Sequence, residues 1–388
     1  MSLGAEFVGV AAEEPIPFFS QARTFERLWP EISARVAEVF DSGKFSHGKQ
    51  VGELESALSA YTGARRVVGV NSGTDALVLL LRALGISPGD EVVVPAYSFI
   101  ATATSVVLAG GTPVFADIDP VTHALDPAEV ARVATPRTRF VMPAHLFCRM
   151  ADMSGLNQVA RDLELTVVED SAEGIGMRQR GVHAGLHGAG GVLSFFPTKT
   201  LGALGDAGAV LTDDDRLADT VASLRHHGRR GRTLNDFTAI STETALCGTN
   251  SKMDDIQAAI LLVKLRHLDE GIARRAELAE RYRGGLEGVV RLPDPGEDPV
   301  FYVHLIEVEL RDELAHHLAE RGIGTETYYP APLHLQPCFA EHGHERGDFP
   351  RAESASARAL ALPMHPDLTP AQVDRVCATI REFYAGRP

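Results

Sequence analysis

The chain has 388 residues, 45% apolar and 23% charged, enough for more than one core in a soluble globular protein and too mixed for a fibrous or membrane-embedded one. Its 37 basic and 52 acidic side chains leave a formal charge of −15, which disfavours nucleic acid as a partner and obliges an anionic ligand to find local donors. Cys148, Cys247, Cys338 and Cys377 stand far apart with no C-x-x-C pair, so no metal centre and no disulfide framework is expected.

The opening MSLGAEFVGVAAEEPIPFF has no basic n-region, and no run reaches the length of a membrane span. A cytoplasmic protein without a membrane partner is expected, with residues 1–15 as a loose arm. From Val67 to Val210, short β-branched runs alternate with amphipathic stretches. RRVVGV precedes DALVLLLRALGI, EVVVPA precedes ATATSVVLAG, TPVFADI precedes DPAEVARVA, and RFVMPAHLF precedes MSGLNQVARDL; LTVVED, GVLSFF and GAVLTD follow. This alternation predicts an α/β domain with a parallel sheet covered on both faces, punctuated by turns at SPGDE and GGTP. Ser251 to Leu286 reads as one or two long helices, and the remainder as a smaller α+β domain. The expected division is a large domain over 16–255 and a small one over 256–388.

Four stretches carry chemistry, and open α/β sheets bind ligands where such strands end. In NSGTDAL, Ser72, Gly73 and Thr74 join a strand end to a helix start, a site for a phosphate monoester or simply a helix cap. In PAYSFIATA, Phe99 or Tyr97 is placed to cover a ring face. In LTVVEDSAEG, Asp170 closes a buried strand and calls for a cation, a protonated ring nitrogen or a local N–H. In VLSFFPTKTLGALGD, Ser194 offers a hydroxyl, and Lys199 is either a snorkelling cation or a desolvated amine able to attack a carbonyl. Together they match what pyridoxal phosphate requires: a helix N-terminus for its phosphate, an aspartate for its pyridinium nitrogen and a lysine for its aldehyde.

VNSGTDAL, GDEVVVPAYSFIATA, GTPVFADIDP, PAHLFCRMADM, VVEDSAEGIG, SFFPTKTLGALGDAGAV, GTNSKMDDIQAA and YYPAPLHLQ occur in this order. Through them the chain resembles the DegT/DnrJ/EryC1/StrS family of pyridoxal-phosphate-dependent sugar aminotransferases, which have the aspartate-aminotransferase (type I) fold. The resemblance implies that Lys199 forms the Schiff base with the cofactor and that Asp170 pairs with its ring nitrogen. It further implies that Ser194 and the Ser72-Gly73-Thr74 turn hold the phosphate, that Phe99 stacks on the ring, and that Asn250 reaches the phosphate of the other subunit of a homodimer with shared active sites. His145, Tyr329 and His334 match positions near the sugar-nucleotide cleft. RHHGRRGR, Arg225 to Arg232 with Arg229 at its centre, either meets the diphosphate or is a solvated loop.

Glu173 stands where the family has Gln, a donor to the cofactor's phenolic oxygen; a carboxyl group donates only when protonated, so Glu173 is either protonated or points elsewhere. Cys148, Tyr328 and Lys252 replace a Gly, a His and an Arg of the family pattern. The implied activity is amino transfer from an amino acid, L-glutamate foremost, to a keto-deoxysugar on a nucleotide such as dTDP. A keto-cyclitol acceptor, a sugar dehydratase and a non-catalytic regulator are the alternatives. In the dehydratases histidine replaces the lysine, and Lys199 argues against that reading.

Overall fold

A computed structural model describes residues 14–46, 48–229 and 244–386. Helices α1 (Ala22–Ser42) and α2 (Lys49–Thr62) come first, and β1 (Arg66–Val70), α3 (Gly73–Ala83), β2 (Glu91–Pro95), α4 (Ile100–Ala109) and β3 (Thr112–Ala116) follow. Next come α5 (Pro127–Val133), β4 (Thr138–Val141), α6 (Met153–Asp162), β5 (Thr166–Asp170), and the short hairpin β6 (Arg178–Gln179) and β7 (Val182–His183). Then β8 (Gly190–Ser194), β9 (Gly208–Thr212), α7 (Asp215–Leu224), α8 (Asp255–Arg266) and α9 (Leu268–Leu286) lead into β10 (His304–Glu307), α10 (Arg311–Glu320), α11 (Pro350–Arg358), β11 (Ala359–Leu362) and α12 (Pro370–Ala385). Among the described residues no helix is long and apolar enough to cross a membrane.

All seven strand-like runs form one sheet in the order β1-β9-β8-β5-β4-β2-β3. Its strands are buried on both faces, as a sheet covered by helices demands. The sheet is mostly parallel, with one departure from the sequence expectation: β9 runs antiparallel to both β8 and β1. The cause is the connection. Residues 195–207 fold back on themselves without a helix, so β9 returns beside β8 as a hairpin partner, whereas a parallel neighbour needs a longer crossover. Strands β1, β2, β5 and β8 therefore end on the same edge of the sheet.

The helix-like stretch from Ser251 divides into α8 and α9 at His267, the C-cap of one and the N-cap of the other. Beyond it, Leu278, Tyr282, Ile306, Leu314, Leu318 and Ile380 build a separate apolar cluster against the two-stranded sheet β10-β11. Ile16 belongs to that cluster and forms a parallel bridge with Ile323, so the chain just before α1 is pinned to its C-terminal part.

Candidate active site

A cavity of about 560 Å³ opens at the shared edge where β1, β2, β5 and β8 end. Its wall includes Ser72, Gly73, Thr74, Phe99, His145, Asp170, Glu173, Ser194, Lys199 and Tyr329. Residues drawn from positions 72 to 329 thus meet on one surface.

On one side, α3 begins at Gly73. The first N–H groups of a helix have no intrahelical acceptor. Ser72 Oγ takes the N–H of Asp75 at 3.1 Å and the Ser72 carbonyl takes that of Ala76 at 3.0 Å, which leaves those of Gly73 and Thr74 for a ligand. Close packing shapes this corner: a Cβ on Gly73 would lie 2.8 Å from Ser194 Cβ, and one on Gly208 would lie 2.5 Å from the Ser72 carbonyl. Only glycine lets the backbone of β9 approach the helix start so closely. Positive dipole, free N–H groups and the hydroxyls of Ser72, Thr74 and Ser194 form a cradle for a phosphate.

Across the cavity, Asp170 closes β5. Its Oδ2 accepts from Thr102 Oγ1 at 2.7 Å, and Thr102 Oγ1 lies 2.7 Å from Ser98 Oγ. Its Oδ1 accepts the N–H of Ala172 at 3.3 Å. The carboxylate is thereby aimed, yet no cation neutralises it among the described residues.

Lys199 comes from the loop after β8. Its Nζ donates to Glu173 Oε1 at 3.1 Å and lies 4.4 Å from the centre of the Tyr302 ring. The other Glu173 oxygen accepts the N–H of Phe147 at 2.8 Å, and Oε1 also takes the hydroxyl of Tyr329 at 3.4 Å. Every one of these contacts uses Glu173 as an acceptor, and it points at the lysine. Burial, reinforced by the Glu173 charge, pushes the Tyr302 phenol up to about 12 and that of Tyr329 well above its usual range. Both phenols stay protonated beside Glu173; Tyr329 donates to it, while the Tyr302 hydroxyl pairs with those of Thr198 and Tyr328.

Other predicted residues fall differently. Phe99 lines the cavity and is 53% exposed at its mouth, but Tyr97 is buried behind it and donates its hydroxyl to the Tyr328 carbonyl. His145 reaches the wall, yet its Nε2 bonds Glu169 at 2.9 Å and its Nδ1 accepts the N–H of Ala151 at 3.2 Å. Both nitrogens are thus occupied by partners within the chain. Burial opposes the ionisation of Glu169, but His145 and the N–H groups of Gly185, His187 and Gly188 hold its carboxyl below the usual range. His334 is not at the cavity; it is buried, 3.3 Å from Glu353 and packed against Phe349. Arg229 and Asn250 also lie outside the wall, Asn250 accepting from Lys252 Nζ and bridging His226. Arg230 to Arg232 fall outside the described residues. Thr102, Ser98, Tyr302 and Phe196 also line or support the cavity but carry no motif of their own, being embedded in helix-like and strand-like runs; only the hydroxyls in ATATS signal polar work inside an apolar helix.

The donor set fits pyridoxal phosphate: a cradle that a Cβ would fill, an aimed carboxylate and an amine face one cavity. A model of the DegT/DnrJ/EryC1/StrS aminotransferase family matches residues 27–381. The chain is 42% identical over 377 residues to the dTDP-3-amino-3,4,6-trideoxy-alpha-D-glucose transaminase of Streptomyces venezuelae, covering 96% of this chain and 97% of that protein. It is 41% identical over 375 residues to a pleiotropic regulatory protein of Geobacillus stearothermophilus, covering 95% and 98%. Among solved structures, DesV of S. venezuelae in complex with a ketimine intermediate superimposes with a TM-score of 0.91 at 40% identity, covering 96% of this chain and 99% of that one. NtdA of Bacillus subtilis, solved with bound cofactor PMP, gives 0.87 at 34% identity, covering 95% and 85%. This chain belongs to the DegT/DnrJ/EryC1/StrS aminotransferase family.

Proposed function

We propose that this protein is a pyridoxal-phosphate-dependent aminotransferase that moves an amino group from an amino acid, L-glutamate, to the keto group of a deoxysugar carried on dTDP. The observation that carries the reading is the placement of Lys199 Nζ in a cavity walled by Asp170 and by the start of α3. Relatives that act on dTDP-linked amino sugars support the substrate class.

When bound, pyridoxal phosphate supplies an aldehyde that exchanges amino groups and a ring that draws electrons from the substrate's α-carbon. The backbone of Gly73 and Thr74 and the hydroxyls of Ser72 and Ser194 hold the phosphate. Asp170, fixed by Thr102, keeps a proton on the ring nitrogen. Lys199 would take the substrate's Cα proton and deliver it to the cofactor in place of the substrate carbon, a role open to a primary amine in this cavity. Glu173 and Tyr329 orient that amine, and Phe99 shields the mouth from water. The aromatic side of the cavity, with Tyr302, Tyr328 and Tyr329, suits the apolar face of a deoxysugar.

On this proposal Asn250, which lies outside this wall, serves the phosphate of a second subunit in a homodimer with shared active sites. In this reading residues 16–255 hold the cofactor, residues 256–388 close over the sugar, and four unpaired cysteines suit the cytoplasm. A purely regulatory role leaves the aimed Asp170 and the lysine without purpose. Incubating the protein with pyridoxal phosphate, L-glutamate and a panel of nucleotide-linked keto-sugars, with mass detection, tests the proposal. An aminated sugar nucleotide is expected; no transfer to any member of the panel, or transfer only to keto-cyclitols assayed beside it, overturns it.

A further inference from the structure

A second buried lysine lies on α8, outside the cavity. Lys264 is 6% exposed, and among the described residues no carboxylate pairs with it. Its Nζ donates to Gln21 Oε1 at 2.7 Å and to the Gly202 carbonyl, and lies 5.0 Å from the centre of the Phe25 ring. Burial, with repulsion from Arg275, pulls its pKa down to about 7. An apolar side chain would fill such a position at lower cost, so a cation here calls for a reason beyond packing.

The contacts supply one. Gly202 and Pro197 close the loop that carries Lys199, so tightly that a Cβ on Gly202 would lie 2.3 Å from the Pro197 carbonyl. Gln21 Nε2 donates to that same Pro197 carbonyl at 3.3 Å, so the Lys264–Gln21 pair grips the loop before and after Lys199. Gln257, also on α8, accepts the N–H of Leu204 at 3.0 Å and donates to its carbonyl at 3.2 Å. Within the loop, Lys199 N–H donates to the Phe196 carbonyl and Ala203 N–H to that of Phe195, each at 2.8 Å. An ammonium has three donors and serves Gln21 and Gly202 together, which no apolar or single-donor side chain does.

We propose that Lys264 is a positioning residue, which with Gln21 and Gln257 clamps the loop from Pro197 to Leu204 so that the Lys199 amine stays at Glu173 and the Tyr302 ring. The proposal rests on Lys199 being the amine that reacts with the cofactor.

The test uses full-length Lys264→Met and Gln21→Leu proteins beside the parent, each first freed of cofactor. Pyridoxal phosphate is added, its condensation with lysine is followed by visible absorbance, and the product is reduced with borohydride and located by peptide mass. Hydrogen exchange of the 195–206 peptide is measured in the same samples. Capture at Lys199 is expected to slow at least about tenfold in Lys264→Met, which loses the hydrogen bonds to both Gln21 and Gly202, and less in Gln21→Leu. Exchange in the loop rises in both, while kcat falls and the KM for the amino donor holds. Unchanged capture and unchanged exchange in both variants overturn the clamp. If the parent itself captures no pyridoxal phosphate, the proposed function fails and loop exchange alone still decides the clamp. If Lys264→Met does not fold, the Gln21→Leu result decides.

Discussion

Lys199 Nζ and Glu173 Oε1 lie 3.1 Å apart, the lysine side chain 15% exposed and the glutamate 3%. The pair is buried enough for its hydrogen bond to matter more than a surface ion pair does, and Phe147 N–H and Tyr329 hydroxyl fix the glutamate from behind. Glu173→Gln keeps the shape and can keep an acceptor for Phe147, but turns an amide NH₂ toward Lys199 or Tyr329. It is expected to lower kcat about tenfold, the worth of one charge-assisted hydrogen bond, with little change in thermal stability. Steady-state kinetics beside a melting curve checks this; an unchanged kcat would mean that Glu173 does not orient the amine.

Thr102 is fully buried on α4 and spends its hydroxyl on Asp170. Thr102→Val conserves volume and leaves that carboxylate oxygen without its donor. Affinity for pyridoxal phosphate is expected to fall by roughly three- to thirtyfold, and stability by about 1 kcal/mol. Equilibrium dialysis reads the first and denaturant unfolding the second; a variant that binds the cofactor like the parent removes Thr102 from the site.

What was legible in the sequence was local. Seven strands and the helix start at Gly73 follow from β-branched runs and a capping serine, and Asp170, Ser194 and Lys199 stand at or just after strand ends. What was not legible depends on contacts between distant segments. Tyr302 meets Lys199 across a hundred residues of intervening chain, and Lys264 meets Gly202 only because α8 packs under the loop. The reversed direction of β9 depends on the way residues 195–207 fold back, which strand patterns do not encode. His334 shows the converse: its neighbours in YYPAPLHLQ include cavity residues, yet its own ring turns inward to Glu353 and Phe349.

Acid should destabilise the fold through buried histidines. Burial, with Arg283 nearby, lowers His304 from 6.5 to about 3, and burial lowers His183 to about 4. The depressed folded values mean that the unfolded chain binds protons first as pH falls. Their contribution is intact above about 6.5 and is lost progressively toward 3 to 4. His304 stacks on Tyr282 at 4.7 Å between ring centres, a contact phenylalanine can keep. Melting temperatures of His304→Phe between pH 7 and pH 5 are expected to fall less steeply than those of the parent. An identical slope would show that His304 does not titrate between the two states.

One lysine, Lys199, is the amine proposed to take up pyridoxal phosphate. Borohydride reduction of the loaded protein followed by peptide mapping tests it most directly, because Lys264, lowered to about 7, and Lys252, lowered by burial and by Arg225, are the competing amines. A single pyridoxyl-labelled peptide containing Lys199 is expected, absent from Lys199→Ala together with the yellow colour and turnover. Label on Lys264 or Lys252, or a Lys199→Ala protein that still transfers amino groups, would contradict it.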